Sequence, residues 1–155
     1  MLRLHLLRHA KTEQTSPTGK DFDRPLMPKG NLQCEGLNMV FKTLPPIDTV
    51  YCSTAKRTQQ TIEVLLNRLP EPNYRDDLYL CGSKTMLQLL WSEKPKGDIL
   101  IVGHNFGISD LASYFSDEDI ELRTGEYIRL VFDCDNWSET SRGMGEIKER
   151  FRPEA

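Results

Sequence analysis

Short apolar runs alternate with helical patterns along most of the chain. Leu2–Leu7, Ile47–Cys52 and Asp98–Val102 are β-branched or apolar and read as buried strands. Between them, 29–44 carries an apolar stripe of Leu37, Val40, Phe41 and Leu44, with Pro28 at its start and Pro45-Pro46 at its end. A second helix is predicted over 55–69, with Ile62, Leu65, Leu66 and Leu69 on one face and Pro70 as its stop. A third is predicted over 83–93 with Ser83 as N-cap, and a fourth over 106–115. Asp76–Leu80 is a short strand or an extended approach, and Lys94–Gly97 is a turn. The character changes near the end. Glu126–Asp133 alternates as a strand and Glu146–Arg152 reads as a last strand, which favours an antiparallel pair at one sheet edge. The expected architecture is α/β: one three-layer α/β/α sandwich over residues 1–155, its sheet mainly parallel with an antiparallel edge. The long polar loop from Lys11 to Pro28 has a Thr-Ser-Pro-Thr-Gly centre that suggests mobility, and loops of this length are often functional.

The formal net charge of −3 does not suggest a broad nucleic-acid surface, although a local cationic pocket is compatible with it. The apolar start is short and broken by Arg3, His5 and Arg8, so no signal peptide is expected, and no run reaches membrane-spanning length. A soluble, cytoplasmic protein with no membrane partner is the expectation. Asp117-Glu118-Asp119 reads as a solvated turn in preference to a metal site. Cys34, Cys52, Cys81 and Cys134 form no Cys-x-x-Cys pair and have no zinc-like spacing, so reduced thiols are expected. Cys52 reads as core. Cys81 lies in a loop near the strand ends, and the choice between a small hydrophobe and a pocket residue leans to the former.

The chemistry gathers at the strand ends. The first strand runs into Arg8-His9, the second into Ser53-Thr54-Ala55-Lys56-Arg57, and the third into Gly103-His104-Asn105. Ligands of open α/β sheets bind beyond the carboxyl ends of the strands. Arg8, His9, Arg57 and His104 are therefore expected to converge on one pocket suited to a phosphoryl group. Arg8 and Arg57 would hold His9 neutral and offer forked hydrogen bonds to phosphate. His104 would add a donor, charged when phosphate is bound, and the starts of the second and fourth helices favour an anion. Phosphoryl transfer is mostly positioning and charge stabilisation, so neither metal nor cofactor is obligatory. Each residue alone has a plain structural reading, and His5, within the first strand, is assigned one. The four together do not.

The motifs also resemble a known family. Leu6-Leu7-Arg8-His9-Ala10-Lys11 resembles the Arg-His-Gly signature of the histidine phosphatase superfamily, with alanine in the glycine position as is common in its small SixA-like phosphohistidine phosphatases. Asp21-Phe22-Asp23-Arg24-Pro25-Leu26 with Gly30, Ser53 to Thr61, Asp77-Leu78-Tyr79, and Val102 to Gly107 resemble further motifs of that group, with Phe106 where proline is frequent. Thr124-Gly125 and Phe151-Arg152-Pro153 extend the likeness across nearly the whole chain. The resemblance implies a phosphoglycerate mutase-like fold and a phosphatase in which His9 is the phosphorylated nucleophile, with Arg8, Arg57 and His104 forming the phosphate pocket. Larger relatives carry an acidic residue after the second helix to protonate the leaving group. Here Asp76 and Asp77 are the nearest carboxylates, and a structural role is as open to them as an acid's. A missing acid fits a labile P–N bond. Thr12 is either a phosphate donor or a loop residue, and Asn105 is a candidate to offer its backbone N–H. Asp21 and Asp23 would orient Arg8 or Lys11, or serve a turn. The expected substrate is phosphohistidine on a protein or a small phosphomonoester. A catalytically silent module that binds phosphate or phosphoprotein is the alternative. The chain is too short for the insertions typical of phosphoglycerate mutases.

Overall fold

The computed structural model describes residues 1–154. Six strands form one sheet in the order β3-β2-β4-β1-β5-β6. These are β1 (Leu2–Arg8), β2 (Thr49–Ser53), β3 (Asn73–Arg75), β4 (Asp98–Gly103), β5 (Tyr127–Phe132) and β6 (Gly145–Phe151). β1 to β4 run parallel, and β5 and β6 add the antiparallel edge expected from their alternating patterns. Helices α1 (Pro28–Phe41) and α2 (Lys56–Glu63) cover one face, and α3 (Ser83–Glu93) and α4 (Gly107–Ser116) cover the other. The fold is a three-layer α/β/α sandwich.

Successive side chains of a strand point to opposite faces, and here both faces are packed. Leu4, Leu6, Ile99 and Ile101 join the cluster with α3 and α4. Leu7, Val50, Cys52, Leu100 and Val102 join Leu37, Phe41, Ile62 and Leu65 under α1 and α2. This double burial explains why β1, β2 and β4 read as continuous apolar runs without alternation. His5 is fully buried in this sheet, between the Tyr127 hydroxyl and the Asp98 carboxylate, and has the structural role expected of it.

Several boundaries differ from expectation. The second helix ends at Glu63, not Leu69. Leu65 bonds back to Ile62, and Leu66–Arg68 tightens into a 3-10 turn, which leaves Leu66 exposed and keeps Leu65 in the core. The strand sought at Asp76–Leu80 lies three residues earlier as β3. Asp76–Leu78 is a 3-10 turn closed by the Tyr79 N–H on the Asp76 carbonyl. Ser83 is the first residue of α3 and does not cap it; Gly82 holds that place without a side chain to offer. Helix α1 ends at Phe41, and looser turns at Lys42, Thr43 and Leu44 carry the chain to the two prolines. Asp117, Glu118 and Asp119 are exposed as expected, and no metal-binding group of His, Cys, Asp or Glu occurs among the described residues. Among them, too, no helix is long and apolar enough to cross a membrane.

Candidate active site

The carboxyl ends of β1, β2 and β4 lie side by side, and each delivers a cationic or imidazole side chain within four residues of its end. The end of β1 is held from both neighbours. Arg8 N–H bonds to the Glu126 carbonyl at 3.1 Å and His9 N–H to the Gly103 carbonyl at 3.1 Å. Gly125 N–H closes on the His9 carbonyl at 2.8 Å. The next residues are held by α1 and α2. Ala10 N–H donates to Thr61 Oγ1 at 2.9 Å, and Lys11 N–H donates to Gln33 Oε1 at 2.8 Å. Gly30 permits this closeness, because a Cβ there would stand 2.1 Å from the Lys11 carbonyl oxygen. Arg57 arrives in the first turn of α2, which the Thr58 hydroxyl ties to the Ser53 carbonyl at 2.7 Å. His104 follows β4 directly.

These residues line one open cleft of about 390 Å³, together with Lys11, Thr12, Gln14, Asp21, Arg24, Leu80, Asn105 and Thr124. The rings of His9 and His104 are 5.4 Å apart between centroids. His9 is 6% exposed, and its Nδ1 lies 2.8 Å from the Ala10 carbonyl oxygen. A carbonyl only accepts, so Nδ1 carries the proton and a neutral ring keeps its Nε2 lone pair free. His104 Nε2 lies 2.8 Å from the Ser53 hydroxyl. Arg57 is almost wholly buried and gives two donors to Asp21, one to its carbonyl at 2.9 Å and one to Oδ2 at 3.0 Å. The same carboxylate accepts from Arg24 Nε and from the Tyr79 hydroxyl. Arg8 donates to the Leu122 carbonyl at 3.0 Å. Three buried nitrogens here have no hydrogen-bond partner among the described residues: Arg8 Nε, Arg57 Nε and His104 Nδ1.

Electrostatics keep both imidazoles uncharged. Burial pushes His9 down to about 3, and the Arg57 and Arg8 guanidiniums push in the same direction, as would a protonated His104. Burial also takes His104 down to about 3, with Arg57 the next cause. The two arginines were expected to hold His9 neutral, and they contribute after burial. Hydrogen bonds from Tyr79 and Arg57 hold Asp21 down at about 2, so it is a fixed anion at neutral pH. The His9 ring resonance should therefore show no titration between pH 8 and about 4 by NMR, against an ordinary histidine value of about 6.5. Stability follows with a definite sign. Below about 6.5 the unfolded chain takes up a proton that native His9 refuses until about 3, so stability decreases as the pH is lowered across that window. A midpoint near 6.5 in the folded protein would contradict the buried, uncharged ring.

All four strand-end residues meet as expected, and Thr12 and Asn105 join them at the rim. Thr12 Oγ1 accepts from Arg24 at 3.0 Å. The Asn105 side chain bonds the Leu122 carbonyl and accepts from Ser109. Asp21 was expected either to orient Arg8 or Lys11 or to serve a turn; it pairs with Arg57 and Arg24, because the loop folds over the start of α2. Asp23 accepts from Thr18 within the loop. Asp76 accepts from Thr54 and Asp77 pairs with Arg75, and neither lines the cleft. Cys81 packs against the core, and burial takes its thiol up to about 11. Sequence reasoning missed Gln33, and although it quoted Ser53 and Thr61 within a motif it gave them no contacts, because their bonds to His104 and Ala10 join distant segments. Tyr79 stood in a quoted motif, but nothing in the sequence signalled its bond to Asp21.

The model of the histidine phosphatase superfamily (branch 1) matches residues 4–78, a span that includes Arg8, His9, Asp21 and Arg57 and stops short of His104. Rv1276c, an uncharacterized protein of Mycobacterium tuberculosis, is 35% identical over 113 residues, covering 68% of this chain and 67% of that protein. Among solved structures, one assigned as phosphohistidine phosphatase SixA from Nakamurella multipartitia has a TM-score of 0.85 at 26% identity, covering 99% of this chain and 96% of that one. Its counterpart from Agrobacterium tumefaciens has a TM-score of 0.78 at 24% identity, covering 97% and 98%.

Proposed function

Since this chain belongs to the histidine phosphatase superfamily as a SixA-like phosphatase, we propose that it removes phosphate from phosphohistidine carried on a protein, with His9 as the transient phosphoryl acceptor. Residues 1–155 act as one catalytic domain in this reading. The single observation that carries it is the buried neutral ring of His9, proton fixed on Nδ1, set among Arg8, Arg57 and His104.

His9 Nε2 attacks phosphorus as the P–N bond of the substrate breaks. The departing imidazole takes a proton from solvent. Water then attacks phospho-His9, the bond to Nε2 breaks, the surplus proton returns to solvent, and phosphate leaves. Arg8, Arg57 and His104 all line the cleft and would offer donors to the phosphoryl oxygens, which is the preorganised donor set such a transfer needs. Both arginines are charged and hydrogen-bonded before substrate arrives, so little reorganisation is required.

The substrate class follows from what the cleft lacks. Asp21 is the one carboxylate among its lining residues, and it is held ionised by Tyr79 and Arg57. A leaving alkoxide needs a proton donor built into the site, whereas the labile P–N bond lets the departing imidazole take its proton from solvent. General acid catalysis contributes about 10²–10⁴-fold, so phosphohistidine and an aryl phosphate should be hydrolysed at least about 100-fold faster than phosphoserine. Phosphate release measured on the three, with and without EDTA, tests this, and the rates should be the same in the chelator. Fast turnover of phosphoserine would overturn the substrate assignment, and recovery of a chelated enzyme by added divalent metal would overturn the metal-free scheme. Tight phosphate binding with no turnover on any substrate would favour a silent binding module. The four free cysteines fit a reducing compartment, and a cytoplasmic location belongs to the same reading.

A further inference from the structure

We propose that Leu80 and Phe106 form an apolar lip on the cleft that grips an apolar side chain flanking the phosphorylated histidine of a polypeptide substrate. The proposal deepens the phosphatase reading above and rests on it.

Leu80 is the one apolar residue among those lining the cleft, and it is 53% exposed. Its backbone is left-handed, with φ of 50°. Leucine seldom adopts that conformation, which glycine or asparagine bears at less cost. The chain thus keeps a strained backbone and a wet apolar side chain at the mouth of the site, and strain of this kind gathers at functional sites. Phe106 follows the cleft-lining Asn105 and is 74% exposed, more than any other large apolar residue described. It sits on a rigid base, because its carbonyl accepts from Asp110 N–H at the start of α4. The two residues belong to segments that touch. Gly107 lies so close to the Cys81 carbonyl that a Cβ there would stand 2.0 Å from its oxygen. Leu80 and Phe106 each immediately precede a member of that abutting pair.

Scattered apolar residues on a surface need no explanation. Two on abutting segments, at the edge of a cleft otherwise polar and cationic, call for one occupant. The phosphoryl group belongs with Arg8, Arg57 and the imidazoles. A free phosphohistidine or a small phosphorylated metabolite would leave the lip wet. A polypeptide with an apolar neighbour beside its phosphohistidine would cover it, and rigid exposed aromatics are common anchors of such contacts.

The test compares kcat/KM on free phosphohistidine with that on phosphohistidine peptides flanked by leucines or by aspartates. In the wild type, the leucine-flanked peptide should exceed free phosphohistidine by about tenfold or more, as burial of one or two apolar side chains allows. Phe106→Ala and Leu80→Asn should each lower that ratio by about five- to tenfold, chiefly through KM, and Phe106→Leu should keep most of it. The aspartate-flanked peptide should show no such dependence. An unchanged ratio in both variants, with wild-type activity on free phosphohistidine intact, would overturn the lip alone. An equal loss on every substrate would do the same, since it marks a structural role. A wild type inactive on phosphohistidine in any form would overturn the substrate reading and the lip with it.

Discussion

His9→Ala should leave a folded protein whose turnover has fallen by about 10⁴-fold or more, the scale reached when a covalent nucleophile is removed from its enzyme. The fold should survive because the imidazole makes one side-chain hydrogen bond, to the Ala10 carbonyl, and its site holds it uncharged at the cost of burial. The backbone around it is fixed by other groups, namely Gly103, Gly125 and Thr61. Circular dichroism and thermal unfolding should therefore track the wild type while phosphate release vanishes. A variant within tenfold of the parent rate would remove His9 as the nucleophile. The remaining charges at the site should still bind inorganic phosphate, which separates loss of chemistry from loss of the pocket.

Arg57→Ala should cost about 100-fold or more in kcat, the usual loss when one preorganised transition-state donor is removed. Arg57→Lys should recover little, because an ammonium keeps the charge but not the planar fork that serves Asp21 and the phosphoryl group together. Asp21→Asn should cost less and act mainly on KM: Arg57 would keep the Asp21 carbonyl as one anchor and lose the charged one. Asp21 is half exposed, so its pairing counts for more in placing Arg57 than in stability. A loss of only a few-fold in Arg57→Ala would put this side chain outside the reach of the phosphoryl group.

Much of this architecture was legible because the sheet is covered on both faces. Double burial writes continuous apolar runs, as in Ile99 to Val102, and parallel connectivity then brings the residues after those runs to one edge. Arg8, His9, Arg57 and His104 could be grouped on that ground. The alternating patterns of the last two strands likewise marked the antiparallel edge. What stayed hidden was set by contacts between distant segments. The partner of Asp21 depends on how the loop after β1 lies over α2, and no local pattern encodes that. The helix α2 stripe continues in sequence through Leu69, but the chain tightens after Glu63 and buries Leu65 without the later leucine at position 66. The strand β3 has three residues, too few for a periodic signal, and it forms at the sheet edge where β2 supplies the partner. The Ser53 hydroxyl meets His104 only because β2 and β4 are neighbours in the sheet.

The central claim is that Nε2 of His9 carries the phosphoryl group in the course of turnover. Brief incubation with a phosphohistidine protein, acid-free quenching and mass spectrometry of the peptide containing residue 9 would test it directly. The account predicts a phosphate on His9, stable to alkali and labile to acid, that disappears as phosphate is released and never forms in His9→Ala. Steady turnover with no phosphate on residue 9 at any time, or a phosphorylated residue elsewhere in the chain, would contradict it.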